Sequence, residues 1–194
     1  MKSKRALALI ALITITLATV FLLWKPLAAS FHHSQTQPQI PSSSPVAHTE
    51  SSFEFMVKAP YESVVPLFGA YEERCWGGED WKPEFLYPAP ASDKQGEVFT
   101  QAHGNSRSIW VNTALDLESG HIQYVYVVPD SIAALIDIHV KRAGSANTSV
   151  KVVYQQTALK PELNAHVSEA ARRHREMGPH WAKALEECLK PKKS

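Results

Sequence analysis

Net charge is nearly absent from this chain of 194 residues: 20 Lys+Arg stand against 19 Asp+Glu, a formal +1. No strong field therefore draws it toward nucleic acid. Catalytic signatures are missing too. The sequence has no Gly-x-Ser-x-Gly elbow, no phosphate-binding loop and no dinucleotide fingerprint, which excludes the best-marked hydrolase, NTPase and dehydrogenase designs. The nine histidines never fall three or four apart on the predicted terminal helix, so the spacing that holds zinc on one helix face is lacking. No metal, cofactor or catalytic residue is expected. Cysteine is scarce, with only Cys75 and Cys188, and no internal repeat is visible.

Apolar residues are concentrated first at the N-terminus. Lys2, Lys4 and Arg5 precede Ala6–Trp24, a run of 19 uncharged residues, and Lys25–Pro26 ends it. As a helix that run rises roughly 28 Å, enough to cross the hydrocarbon core. The small residues Ala28–Ala29–Ser30 after Pro26 keep signal cleavage open. Residues 1–30 are thus either a membrane anchor or a cleaved signal. The basic start keeps the N-terminus cytoplasmic and sends the body to the exported side, periplasmic or extracellular. Residues 1–30 hold four basic residues and no acid, so the remainder carries 16 Lys+Arg against 19 Asp+Glu, a formal −3. Residues 31–52 are rich in Ser, Pro and Gln and read as a linker that cannot bury enough apolar surface to order itself. His32–His33 is read there as a polar pair.

From residue 53 the pattern changes. Phe53, Phe55 and Val57 alternate with polar neighbours as in a half-buried strand. Pro60 opens a short helix with Val64, Val65, Leu67 and Phe68, and Pro66 keeps it short. Strand patterns follow at 85–87, 96–102, 108–117, 121–129, 135–141 and 148–159, separated by turn signals such as Ser119–Gly120 and Gly144–Ser145. Short connections imply an antiparallel meander. Within 108–117, Ile109, Val111, Thr113, Leu115 and Leu117 alternate with Trp110, Asn112, Ala114 and Asp116. Asp116, at the strand end, is either an inward acid or a surface residue. From Pro161, Leu163, Val167, Ala170, His174, Met177, Trp181, Leu185 and Cys188 recur at steps of three and four, one face of a long helix. Gly178–Pro179 should kink it. Residues 191–194 form a basic tail.

Strand, short helices, long antiparallel sheet and long amphipathic helix make an α+β domain in which the helix must cover the sheet. The tetrapeptide Gly77–Gly78–Glu79–Asp80 has the letters of a diguanylate cyclase loop, but Trp81–Lys82–Pro83 follow it and cannot continue a central strand. The glycines are read as a turn, the acids as solvated, and Trp76 and Trp81 as packing under the terminal helix.

Over residues 53–190 the chain resembles the SRPBCC superfamily, the START-like or polyketide cyclase/dehydrase-like helix-grip domains. The residues that carry the resemblance are "FMVKAPYESVVPLF", "WGGEDWKPEFLYP", "GEVF", Trp110, "YVYVVP", "VVYQQTAL" and "MGPHWAKALEECL", in that order. It implies a curved sheet of six or seven strands, two short helices and a long C-terminal helix. It also implies a pocket between sheet and helix for a small apolar or amphipathic, lipid-like ligand. Candidate lining residues are Trp81, Trp110, Tyr124, Tyr126, Tyr154, His174 and Met177, although ordinary core packing also accounts for the aromatics. His174 on the apolar stripe either bonds a core neighbour or meets a ligand. An enzyme of the cyclase/dehydrase type and a filled-core domain acting through protein contacts are the alternatives. In the resembling fold the small helices lie beneath the terminal helix, which would make Cys75 and Cys188 neighbours, and export would allow a bridge. Two separate buried thiols are the other reading.

Overall fold

A computed structural model describes residues 45–103 and 106–191. The predicted anchor or signal at 1–30, residues 31–44 of the linker and residues 192–194 of the tail lie outside the described residues. Among the described residues no helix is long and apolar enough to cross a membrane.

Seven antiparallel strands form one sheet: β1 (His48–Val57), β2 (Glu84–Tyr87), β3 (Val98–His103), β4 (Ser106–Asp116), β5 (His121–Val128), β6 (Ile132–Arg142) and β7 (Thr148–Ala158). Their order across the sheet is β1-β7-β6-β5-β4-β3-β2. The first strand thus pairs with the last, and the rest is a meander. Between β1 and β2 lie a single α-turn, α1 (Tyr61–Val64), and two 3-10 turns, Val65–Phe68 and Glu72–Cys75. After β7 come α2 (Asn164–His174) and α3 (Gly178–Cys188), which pack on β1, with α2 also reaching β7.

The period-two pattern decides which face is the core. Phe53, Phe55 and Val57 of β1, Ile122, Tyr124 and Tyr126 of β5, Ile136, Ile138 and Val140 of β6, and Val150, Val152 and Tyr154 of β7 are all buried. Each such side chain removed from water contributes roughly 1.5–3 kcal/mol. In β4 the alternation fails midway. Ser108, Trp110 and Asn112 face inward and Ile109 is 47% exposed, but the register shifts between Asn112 and Ala114. The bulge re-aims the strand, so Leu115 packs against the core and Asp116 is exposed. Asp116 caps the turn instead, accepting from the Glu118 and Ser119 amides at 3.0 Å each.

The covering helix is not one kinked rod. α2 ends at His174, and α3 begins at Gly178 with Pro179 in its first turn, where no amide partner is lost. Gly178 suits the close approach here: a Cβ would lie 3.2 Å from the Glu54 carbonyl on β1, a tight contact that glycine avoids. The linker is also shorter than its composition implies. β1 starts at His48, and Asn164 accepts from the Ala47 amide at 2.7 Å and donates to the Pro45 carbonyl at 3.1 Å.

Cys75, at the end of the second 3-10 turn, and Cys188, at the end of α3, form a disulfide with Cα atoms 5.6 Å apart. It closes a loop across 113 residues and ties the small turns to the last helix. Reduction is expected to lower unfolding stability by about 4–5 kcal/mol in the chain-entropy model. Denaturant titration with and without reductant checks this. Identical curves, or two alkylatable thiols in unfolded, unreduced protein, would contradict it.

Candidate functional site: an aromatic cavity under the terminal helices

The cross-strand register builds the site. One inward row runs Asn112, Tyr124, Ile136, Tyr154, Ser51 across five strands. The row beside it begins Phe99, Trp110, Tyr126. Phe99 stacks on Trp110 at 5.6 Å and Trp110 on Tyr126 at 4.2 Å. Rings this large in adjacent strands leave space above them where α2 and α3 come across. The result is a cavity of about 230 Å³ lined by Glu73, Trp81, Trp110, Tyr124, Tyr126, Ile136, Ile138, Tyr154, His174 and Trp181.

Its walls are held by specific contacts. Trp81 meets Trp110 edge-on at 5.6 Å, and its Nε1 donates to the Ala70 carbonyl at 3.1 Å. Gly77 makes that position possible, because a Cβ at 77 would sit 2.8 Å from the Trp81 ring. Gly78 serves differently, turning the chain with φ of +88°. Trp181 of α3 meets Phe53 at 5.2 Å and Trp76 at 5.1 Å, both edge-on. Trp76 in turn donates to the Leu67 carbonyl at 2.6 Å. His174 stacks on Tyr154 with centroids 4.0 Å apart, and its Nδ1 lies 3.3 Å from Ser51 Oγ.

Burial raises the cavity tyrosines Tyr124, Tyr126 and Tyr154 further above neutrality, and two other cavity groups shift so as to change their charge near neutral pH. Burial, with the charge of Asp93 added, pushes Glu73 up to about 8. No hydrogen bond among the described residues engages its carboxyl. Burial and then the Arg173 charge hold His174 down at about 4. At neutral pH the cavity therefore offers an uncharged imidazole and a carboxyl that retains most of its proton. Beneath Tyr124 lies a second acid, Glu97, which is 0% exposed. Burial pushes it up to about 7, despite a hydrogen bond from the Lys94 amide. The Tyr124 hydroxyl donates to the Phe68 carbonyl at 3.0 Å. Its single proton is thereby used, so the 3.4 Å approach to Glu97 Oε1 suits a protonated carboxyl donating to the tyrosine oxygen. Asn112 lies beside the same hydroxyl, yet neither of its amide atoms makes a hydrogen bond of ordinary geometry.

Six of the seven candidate lining residues meet at this cavity: Trp81, Trp110, Tyr124, Tyr126, Tyr154 and His174. Met177 does not. It falls in the break between α2 and α3 and packs against the core instead. Trp76 packs under α3 as expected, whereas Trp81 packs on the sheet. Sequence reading missed Glu73, Ile136, Ile138 and Trp181 as lining residues. Trp181 stood on the apolar stripe and both isoleucines on the inward face, so they were legible as core. Glu73 was not, because a four-residue 3-10 turn carries no periodic pattern.

No protein-family model matches the chain, and no curated protein matches it. Solved structures do. Truncated norcoclaurine synthase from Thalictrum flavum aligns at 14% identity over 78% of this chain and 99% of its own, with a TM-score of 0.55. The Zhui aromatase/cyclase from Streptomyces sp. R1128 aligns at 15% identity over 73% of this chain and 94% of its own, with a TM-score of 0.52. An uncharacterised protein from Rhizobium leguminosarum aligns at 12% identity over 75% and 96%, with a TM-score of 0.54. With the seven-stranded antiparallel sheet, the small turns and the covering C-terminal helices, these likenesses establish that the chain has the helix-grip fold that those structures share.

Proposed function

We propose that the domain binds one compact, mostly apolar ligand in the cavity between the sheet and α2–α3. The observation that carries this reading is an aromatic-walled space of about 230 Å³ containing a single carboxyl, Glu73. An apolar cavity of about 150 Å³ takes benzene, and drug-sized sites begin near 300 Å³. The volume therefore favours a molecule of one or two rings over a long acyl chain. Trp110, Tyr124 and Tyr126 offer ring faces and edges, and Glu73 offers the group that would orient a donor or cationic nitrogen. A second reading, an enzyme acting on such a ligand, rests on the proton that Glu73 holds up to about 8, which suits general acid–base work near neutral pH.

We also propose that residues 1–30 export the domain and either tether it to the membrane or are cleaved. The basic start before Ala6–Trp24 and the Cys75–Cys188 disulfide, which needs an oxidising compartment, support this. Cell fractionation tests it: reduced chain in the cytoplasm would overturn it.

Binding is tested with an uncharged naphthylamine fluorophore. One site at micromolar affinity is expected. Ile136→Phe should fill the cavity and weaken binding about tenfold or more, with overpacking costing only ~1–3 kcal/mol of stability. At pH 9, above the value of about 8 at which Glu73 ionises, Glu73→Gln should leave the neutral probe within about twofold while weakening an arylalkylamine about tenfold, in keeping with the loss of a charge-assisted bond. Equal binding by the parent and Ile136→Phe would refute the assignment.

Two desolvated acids, half-buried Glu73 and fully buried Glu97, make stability fall with rising pH. Glu73 and Glu97 have folded values above the ordinary 4.5, so the unfolded chain loses protons that the fold retains. Their stabilisation is complete below about 4.5 and declines as pH rises to about 7 for Glu97 and about 8 for Glu73. His174 acts oppositely, its share being lost as pH falls from 6.5 to about 4. Glu97→Gln should therefore match the parent at pH 4 and exceed it at pH 8 by on the order of 2 kcal/mol. Denaturant titrations at both pH values check this, and parallel loss in parent and variant would contradict it.

A further inference from the structure

The strands that floor the cavity carry a second cluster of functional groups on their outer face. His121 on β5 and His139 on β6 are direct cross-strand partners, and their imidazoles lie parallel with centroids 5.1 Å apart. Asp137, two residues before His139, shares that face. It sets one carboxylate oxygen against each ring: Oδ1 is 2.7 Å from His121 Nε2, and Oδ2 is 3.0 Å from His139 Nε2. From this arrangement we infer that the outer face of the β5–β6 pair is a binding site for a divalent transition-metal ion of the zinc type, with His121, His139 and Asp137 as its ligands.

Geometry, donor chemistry and surroundings agree. One ligand atom from each residue lies within 4.8 Å of the other two. Ligands bound at about 2.0–2.2 Å around one ion stand roughly 3–3.5 Å apart. The observed separations are slightly shorter because a proton now bridges each imidazole to the carboxylate. Replacing those protons by an ion needs the three side chains to close on one point without any change of strand register. Two imidazoles with one carboxylate suit zinc, nickel or copper, whereas calcium and magnesium prefer oxygen alone. The side chains are 37%, 25% and 42% exposed for His121, Asp137 and His139, so an ion can reach them. Gln123 donates to Asp137 Oδ1 at 3.2 Å and is itself held by Thr113 at 2.9 Å, the kind of outer support that orients metal ligands.

The neighbouring charges also permit a cation. Asp116 on β4 pairs with His121 in register and adds negative charge. Lys151 on β7 pairs with His139, but its Nζ is engaged by Glu54 Oε1 at 3.2 Å. An ion here would join β5 to β6 directly behind Tyr124, Ile136 and Ile138, which line the cavity. It would brace the cavity floor from outside. Three protein ligands leave at least one coordination position for water or an anion.

The test uses the full-length chain without an affinity tag, titrated with Zn²⁺ by calorimetry and with Co²⁺ by visible absorption. One ion per chain at micromolar affinity or tighter is expected, with Co²⁺ giving ligand-field bands. His121→Ala, His139→Ala and Asp137→Asn should each weaken binding about tenfold or more, and the double histidine variant should abolish it. His32→Ala with His33→Ala should leave the stoichiometry unchanged. Saturating Zn²⁺ should raise Tm by about 5 °C or more in the parent and not in the double variant. No binding below millimolar Zn²⁺, or the same affinity and Tm rise in the double variant, would overturn the site.

Discussion

The Trp181 indole meets Phe53 on one side at 5.2 Å and Trp76 on the other at 5.1 Å, and its remaining surface lines the cavity. One side chain thereby joins the sheet, the small turns and the last helix. The elements around it are arranged to keep it there. Gly178 lets α3 approach the β1 backbone, the disulfide fixes the other end of α3 to the 3-10 turns, and the Trp76 indole is anchored to the Leu67 carbonyl. An aromatic cluster contributes both area burial and roughly 0.5–1.5 kcal/mol per favourable edge or stacked pair. Because α2 and α3 meet at a break, His174 is brought over Tyr154 rather than continuing along a straight rod.

The same closure sets the electrostatics. Covering the aromatic sheet face removes water from Glu73, Glu97 and His174, and desolvation favours the uncharged form of each. Near physiological pH His174 is consequently uncharged and Glu73 mostly protonated, while Glu97, at about 7, stands at the midpoint of its titration. Such groups cost stability when they are forced to ionise. The unpaired amide of Asn112, a burden of roughly 1–3 kcal/mol, lies in the same region.

Much of this was legible in the sequence, and the failures have identifiable causes. Strict alternation in β1, β5, β6 and β7 revealed the inward face because each strand has one wet and one dry side. In β4 the bulge after Asn112 reversed the faces, and no turn residue announces a bulge of that kind. The step of three and four from Val167 to Leu185 persisted through the helix break, so periodicity alone suggested one helix. Glu73 sits on a turn too short to have a pattern. The His121–Asp137–His139 group needs strand register, not helical spacing: two members are two residues apart, and the third is opposite them only once β5 and β6 pair.

The central claim is that this fold is closed over a space meant to be filled. Native mass spectrometry of the full chain, isolated from its own cells under non-denaturing conditions, tests that most directly. The account predicts a population carrying one small organic molecule, lost on mild activation and absent from the Ile136→Phe variant. A parent protein that is found only at its bare mass, and that takes up no compact aromatic ligand when one is supplied, would contradict it.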